Sequence, residues 1–222
     1  LPAPFPWTSC AGNTITIGME IAATGAPQRG RPREFDPETA LAAALRVFWS
    51  LGYEGASLTE LTEAMGITRP SLYACFGNKE ALFHKALELY EREKLAYVRT
   101  ALEAPTARGV AERLLNGALE MQTSACDPKG CMGVIASLAC GAEAESIRAD
   151  VLSRRASSDA ALIRRFQQAK ADGDLPQAID PEALARYLGA LLQGLSVQAK
   201  NGASRQELVT LVDTALMVWP GR

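Results

Sequence analysis

An all-α fold follows from three features of the 222-residue chain. From Asp36 onward apolar residues recur three and four positions apart, the spacing of a buried helical stripe. Helix starts with side-chain caps and glycine stops punctuate the sequence at short intervals. Alternating runs of β-branched residues, the mark of half-buried strands, are scarce. The pattern predicts a head of three helices, a long fourth helix and, after a break at Ala104-Pro105, five further helices.

The elements follow in order. Residues 1–30 are rich in Pro, Gly, Ala and Thr and are expected to form a disordered arm. They lack a basic stretch followed by an apolar run, so they do not read as a secretory signal. Met19-Glu20 reads as a more natural start, which leaves residues 1–18 as upstream or extra sequence. The first helix opens at Asp36-Pro37, a cap followed by proline in the first turn, and stops at Gly52. The second opens with Ser57-Leu58-Thr59-Glu60, a capping box in which hydroxyl and carboxylate satisfy each other's backbone donors. Gly66 ends it. The third runs from Thr68 to Gly77 with Pro70 in its first turn. Asn78 caps a fourth, expected to continue to about Leu102. After Ala104-Pro105, further helices are expected at 106–124, 131–141, 144–171, 181–200 and 205–219. Asp180-Pro181 and Ser204-Arg205-Gln206-Glu207 mark the last two starts.

Composition excludes several function classes. Apolar residues make up 48% and charged residues 22%, which is ordinary for a globular chain. A single histidine, His84, rules out a multi-histidine metal site and leaves little room for imidazole catalysis. No nucleophile elbow, P-loop, dinucleotide fingerprint or zinc-protease motif is present, so no catalytic residue, metal or cofactor is assigned. Five cysteines in a chain this long do not suggest a disulfide scaffold, and a reducing cytoplasm is the default. No run approaches the roughly 18 apolar residues of a membrane span.

The second and third helices, joined by Gly66-Ile67-Thr68, form a helix–turn–helix. Gly66 suits a left-handed turn, and Ile67 is placed to plug between the helices. In such units the N-terminal residues of the second helix reach base edges in the major groove. Here those are Thr68, Arg69, Pro70, Ser71 and Tyr73. Arg69 has the geometry to bond guanine through two donors.

The stretch from Gly52 through Ser57-Leu58-Thr59-Glu60-Leu61 to Ala64-Met65-Gly66-Ile67-Thr68-Arg69-Pro70-Ser71-Leu72-Tyr73 resembles the N-terminal domain of the TetR/AcrR family of bacterial transcriptional regulators. It closes with Phe76-Gly77-Asn78-Lys79-Glu80-Ala81-Leu82-Phe83. The Leu-Tyr-x-x-Phe-x-x-Lys-Glu-x-Leu run is the specific part. Ala74-Cys75 departs from it, since the family often has larger polar or aromatic residues there. The resemblance implies a DNA-binding domain at 31–84 and an all-helical ligand-binding and dimerisation domain at 85–222. It implies a cytoplasmic regulator of a palindromic operator, a repressor released by a small effector. It also implies phosphate contacts at Thr59, Tyr73 and Lys79, with Arg31 and Arg33 reaching a minor groove. Other readings stay open: Tyr73 shares a face with the core residue Phe76, Arg69 also fits a phosphate contact alone, and the arginines of the arm also fit a solvated linker. Bulk charge does not help, because the chain carries a formal net charge of −2. Only the placement of its cations suits a phosphate backbone.

In the second half two stripes stand out: Leu184, Leu188, Leu191 and Leu195, then Leu208, Leu211, Val212, Leu216 and Trp219. They are expected to form a four-helix interface in a homodimer, or alternatively to fill the subunit's own core. Met121, Met132, Ile135, Leu162 and Phe166 are the candidate lining of an effector cavity for an apolar or weakly polar ligand, and each also fits plain core. Cys131 sits at an expected helix start beside Lys129, two features that favour a reactive thiolate. Gly130-Cys131-Met132 resembles a segment of a TetR subgroup that includes electrophile-responsive repressors. Cys126, five residues away, is the candidate resolving thiol, and Cys131 also fits a buried small residue at a helix start.

Overall fold

The computed structural model describes residues 35–138, 141 and 144–221. The arm, with Arg31 and Arg33, therefore lies outside the described residues. All regular structure among the described residues is helical: α1 Pro37–Gly55, α2 Leu58–Met65, α3 Arg69–Phe76, α4 Lys79–Lys94, α5 Ala96–Leu102, α6 Ala107–Thr123, α7 Met132–Ser137, α8 Glu145–Ala171, α9 Pro181–Lys200 and α10 Arg205–Met217.

The caps read from the sequence form. Asp36, Thr68, Asn78 and Asp180 each accept first-turn backbone N–H groups. Ser57–Glu60 and Ser204–Glu207 are both complete capping boxes. Gly66 is left-handed at φ 65°, as the turn requires. In α1 the backbone leaves helical geometry at Gly52, with φ 75°.

Two cores organise the chain. The first gathers α1 to α4 around Phe48, Trp49, Leu61, Leu72 and Phe83, with Met132, Ala136, Ile147 and Val151 added from α7 and α8. Aromatic edges lock it: Phe48 meets Phe83 at 5.1 Å and Trp49 meets Tyr90 at 4.9 Å between ring centroids. The second is built by α5, α6, the end of α8, α9 and α10 around Leu115, Phe166, Leu188, Leu195 and Trp219.

Three expectations change. The fourth helix does not run unbroken to Leu102. It bends at Leu95 (φ −105°, ψ 10°), and the bend lays α5 onto α6, where Ala101 is buried. The paired stripes expected to meet a second subunit turn inward. Leu184, Leu188, Leu195, Leu208, Val212 and Trp219 are buried in the chain's own second core, with Leu191, Leu211 and Leu216 packed against it. A wide apolar stripe is what the inner face of a bundle requires, so spacing alone did not separate the two roles. The helix expected over 131–141 is short, with Ser137 its last helical residue.

Candidate nucleic-acid interface and effector cavity

The helix–turn–helix presents a polar face. Thr68 caps α3, and its hydroxyl also lies 2.9 Å from that of Ser71. Arg69 Nη2 donates to Thr59 Oγ1 at 2.7 Å, so a residue of α2 orients the arginine of α3. Tyr73 is 50% exposed, which removes the core reading for it, while its neighbours Leu72 and Phe76 are buried. Lys79 Nζ stands 4.6 Å from the centre of the Tyr53 ring. The backbone bond from the Ser57 N–H, then the Ser57 hydroxyl and then nearby Lys79, hold the Glu60 carboxyl below its usual range. Cys75 is half-buried against the first core and is a free thiol. Thr59, Thr68, Arg69, Ser71, Tyr73 and Lys79 all belong to this one head, with Pro70 opening α3.

A cavity of about 220 Å³ lies behind the head, lined by residues of α4, α5, α6, α7, α8 and α9. Its walls include Leu87, Leu95, Met121, Val134, Val151 and Leu192. Tyr90, Tyr97, Gln122 and Cys131 add polar atoms, and Glu91, Arg154, Arg155 and Asp159 also line it. Of the five expected lining residues only Met121 lines this cavity. Met132, Leu162 and Phe166 are buried in the two cores, and half-buried Ile135 packs against the first. The tyrosines were missed because Tyr90 lies within the charged helix α4 and Tyr97 across its bend on α5. The signal was present: a buried tyrosine needs a partner for its hydroxyl.

The loop before α7 ties cavity and head together. Asp127 accepts from Arg46 Nη1 of α1 at 3.2 Å and from Lys94 Nζ at 2.8 Å. Gly130 O accepts from the indole N–H of Trp49 at 2.6 Å. Gln122 Oε1 accepts from Gly130 N–H at 2.8 Å, and Ser196 Oγ from Cys131 N–H at 2.7 Å. Cys131 is a free, half-buried thiol. Cys126 is disulfide-bonded, so it is not a free thiol waiting beside Cys131. Lys129 donates to Ser124 O at 2.5 Å, an interaction within the loop. His84 faces α8, with Nδ1 3.0 Å from Asp150. Among the described residues no three His, Cys, Asp or Glu side chains are grouped to hold a metal, and no helix is long and apolar enough to cross a membrane.

The profile described as bacterial regulatory proteins, tetR family, matches residues 40–86, and a tetracyclin repressor-like C-terminal domain matches 111–214. The chain belongs to the TetR family. It is 34% identical over 194 residues to the HTH-type transcriptional repressor ComR of Escherichia coli (strain K12), covering 86% of this chain and 92% of that protein. It is 28% identical over 182 residues to the repressor BdcR of the same organism, covering 81% and 86%. A cysteine mutant of the TetR family regulator CifR, solved in complex with 26-bp double-strand operator DNA, is 45% identical with a TM-score of 0.81. That match covers 86% of this chain and all of that one. As a TetR family member the chain is a DNA-binding transcriptional regulator and not an enzyme.

Proposed function

We propose that this TetR family chain is a cytoplasmic repressor, bound to a palindromic operator as a homodimer and released by a small effector held in the cavity behind the head. The observation that carries this reading is the joint between the two. The loop at 127–131 is bonded to α1 of the head and ends at Cys131 in the cavity wall. A ligand that favours one arrangement of α7 therefore acts on the position of the head. By linkage, operator DNA weakens that ligand by the same factor.

Thr68, Arg69, Pro70 and Ser71 read the major groove, while Thr59, Tyr73 and Lys79 hold phosphates. Arg31 and Arg33 serve the minor groove. The second subunit docks on the faces of α9 and α10 turned away from the core. These carry Tyr187 and Val197, 41% and 44% exposed, and Met217, 81% exposed. Two heads then sit one DNA turn apart, roughly 34–36 Å. The test is a gel shift against DNA upstream of the chain's own gene, at moderate salt. Absence of a specific complex, with and without candidate ligands, overturns the reading.

A second reading, a thiol switch at Cys131, is favoured by one observation: this free thiol lines the effector cavity. With Cys126 already in a disulfide, this reading rests on Cys131 alone. N-ethylmaleimide should then release DNA from the wild type and not from Cys131→Ser. Release from both excludes Cys131 as the sensor.

A further inference from the structure

We propose that Tyr90 and Tyr97, with Gly117 behind the Tyr97 ring, determine the specificity of this cavity, and that they select a small uncharged molecule carrying a hydrogen-bond-accepting oxygen. The inference rests on the cavity being the effector site.

Size comes first. At about 220 Å³ the cavity is below the roughly 300–1,000 Å³ of pockets for drug-sized ligands. The surface its walls expose is mostly apolar, so most of the occupant is apolar.

The phenols supply the polar end. Tyr90 is fully buried, and its hydroxyl donates to Met121 Sδ at 3.6 Å. A thioether is a weak acceptor, so this donor would gain from an oxygen placed nearby. The same hydroxyl interacts with the thiol of Cys131, and Tyr90, Tyr97 and Cys131 all line this cavity. Burial pushes both phenols far above the usual phenol range, so each stays protonated and able to donate.

Charge at the cavity is balanced. Arg154 donates to Asp150 at 3.0 Å and to Glu91 at 2.8 Å, and Arg155 stands 4.0 Å from Asp159. An anionic ligand would have to displace a carboxylate from one of these guanidinium groups. An uncharged ligand leaves the pairs intact.

Gly117 fixes the Tyr97 ring. A β-carbon at 117 would stand 2.7 Å from Tyr97 Cε2 and 2.8 Å from Cγ, so the ring lies where any other residue's side chain would begin. Only glycine on α6 leaves that space to the ring.

The test uses calorimetric titration of the full chain with acetophenone, ethylbenzene and benzoate. The first two share shape and differ in the carbonyl oxygen. Acetophenone is expected to bind about fivefold more tightly than ethylbenzene, the worth of one neutral hydrogen bond. Benzoate is expected not to bind. Tyr90→Phe and Tyr97→Phe should bring the ketone-to-hydrocarbon ratio toward one while leaving ethylbenzene unchanged. Gly117→Ala should weaken both. A ratio unchanged in both phenylalanine variants, or benzoate binding as well as acetophenone, overturns the assignment of the phenols and leaves the cavity reading standing. If none of the three probes binds the wild type, the cavity reading falls and this inference with it. Should Gly117→Ala fail to fold, the phenylalanine variants still decide, because they remove only a hydroxyl. Acetophenone does not alkylate thiols, so the result is independent of Cys131 chemistry.

Discussion

Removing the Asp127 carboxylate should destabilise the joint between head and bundle. Asp127 accepts from Arg46 of α1 and from Lys94 at the end of α4, and its own side chain is only 13% exposed. An exposed ion pair is worth about 0.2–1 kcal/mol, and these two, shielded on the aspartate side, belong at the upper end. Asp127→Ala deletes both and should therefore cost about 2 kcal/mol. For a chain this long each kcal/mol lowers Tm by about 2–4 °C, so a fall of about 6 °C is expected in a circular dichroism melt. A double-mutant cycle of Asp127→Ala with Lys94→Met separates direct coupling from general damage, and should return about 1 kcal/mol. A melt within a degree of wild type together with additive single effects would refute the reasoning. The joint would then rest on its other links, among them the Trp49–Gly130, Arg46–Cys126 and Lys200–Ser50 hydrogen bonds, and on apolar packing.

Three further outcomes are expected. Arg69→Ala should weaken operator binding by about 1–3 kcal/mol and relax preference at one base pair, whereas Lys79→Ala should weaken all sequences alike and lower the salt slope by about one, both read by fluorescence anisotropy across a salt series. In the C-terminal capping box the Ser204 hydroxyl, then its backbone N–H, hold the Glu207 carboxyl below its usual range. Because the folded pKa lies below the unfolded one, that contribution is complete above the unfolded value and fades as pH falls through the folded one. Glu207→Gln should accordingly flatten the acid limb of the stability curve below about pH 4.5, with no change in slope near neutrality. Val197→Glu should yield monomers in light scattering if the outer face of α9 is the docking surface, while Leu188→Ala should cost about 2–5 kcal/mol of stability whatever the oligomeric state.

The head was legible because local chemistry dictates it. A serine three residues before a glutamate, a threonine before Arg-Pro, and a glycine at a left-handed turn each leave the backbone few alternatives, and all three form as read. The bundle was less legible because apolar spacing shows that a helix face is buried without saying against what. Leu184, Leu188 and Leu208 satisfy an inner core as well as they would satisfy an interface. Met132, Leu162 and Phe166 failed as cavity residues for the same reason. A cavity is the place where packing stops, and no single helix's periodicity records that. The residues that line it, Tyr90, Tyr97 and Arg154, come from three helices and share no pattern along the chain.

The position of α7 explains why so short a helix belongs between the first core and the cavity. Gly133 and Val134 line the cavity, while Ile135, the next residue, reaches α1, where its Cγ2 lies 3.3 Å from the place of a β-carbon on Gly52. Successive residues of one helical turn thus face opposite clients. Met132 and Ala136 are buried in the first core, which anchors the turn there. A six-residue helix has few internal hydrogen bonds to hold it, so its placement is set by these neighbours more than by its own helical stability. On the proposed reading, ligand and DNA compete for its placement. The coupling between them cannot exceed the difference in contact energy that either makes with its two arrangements.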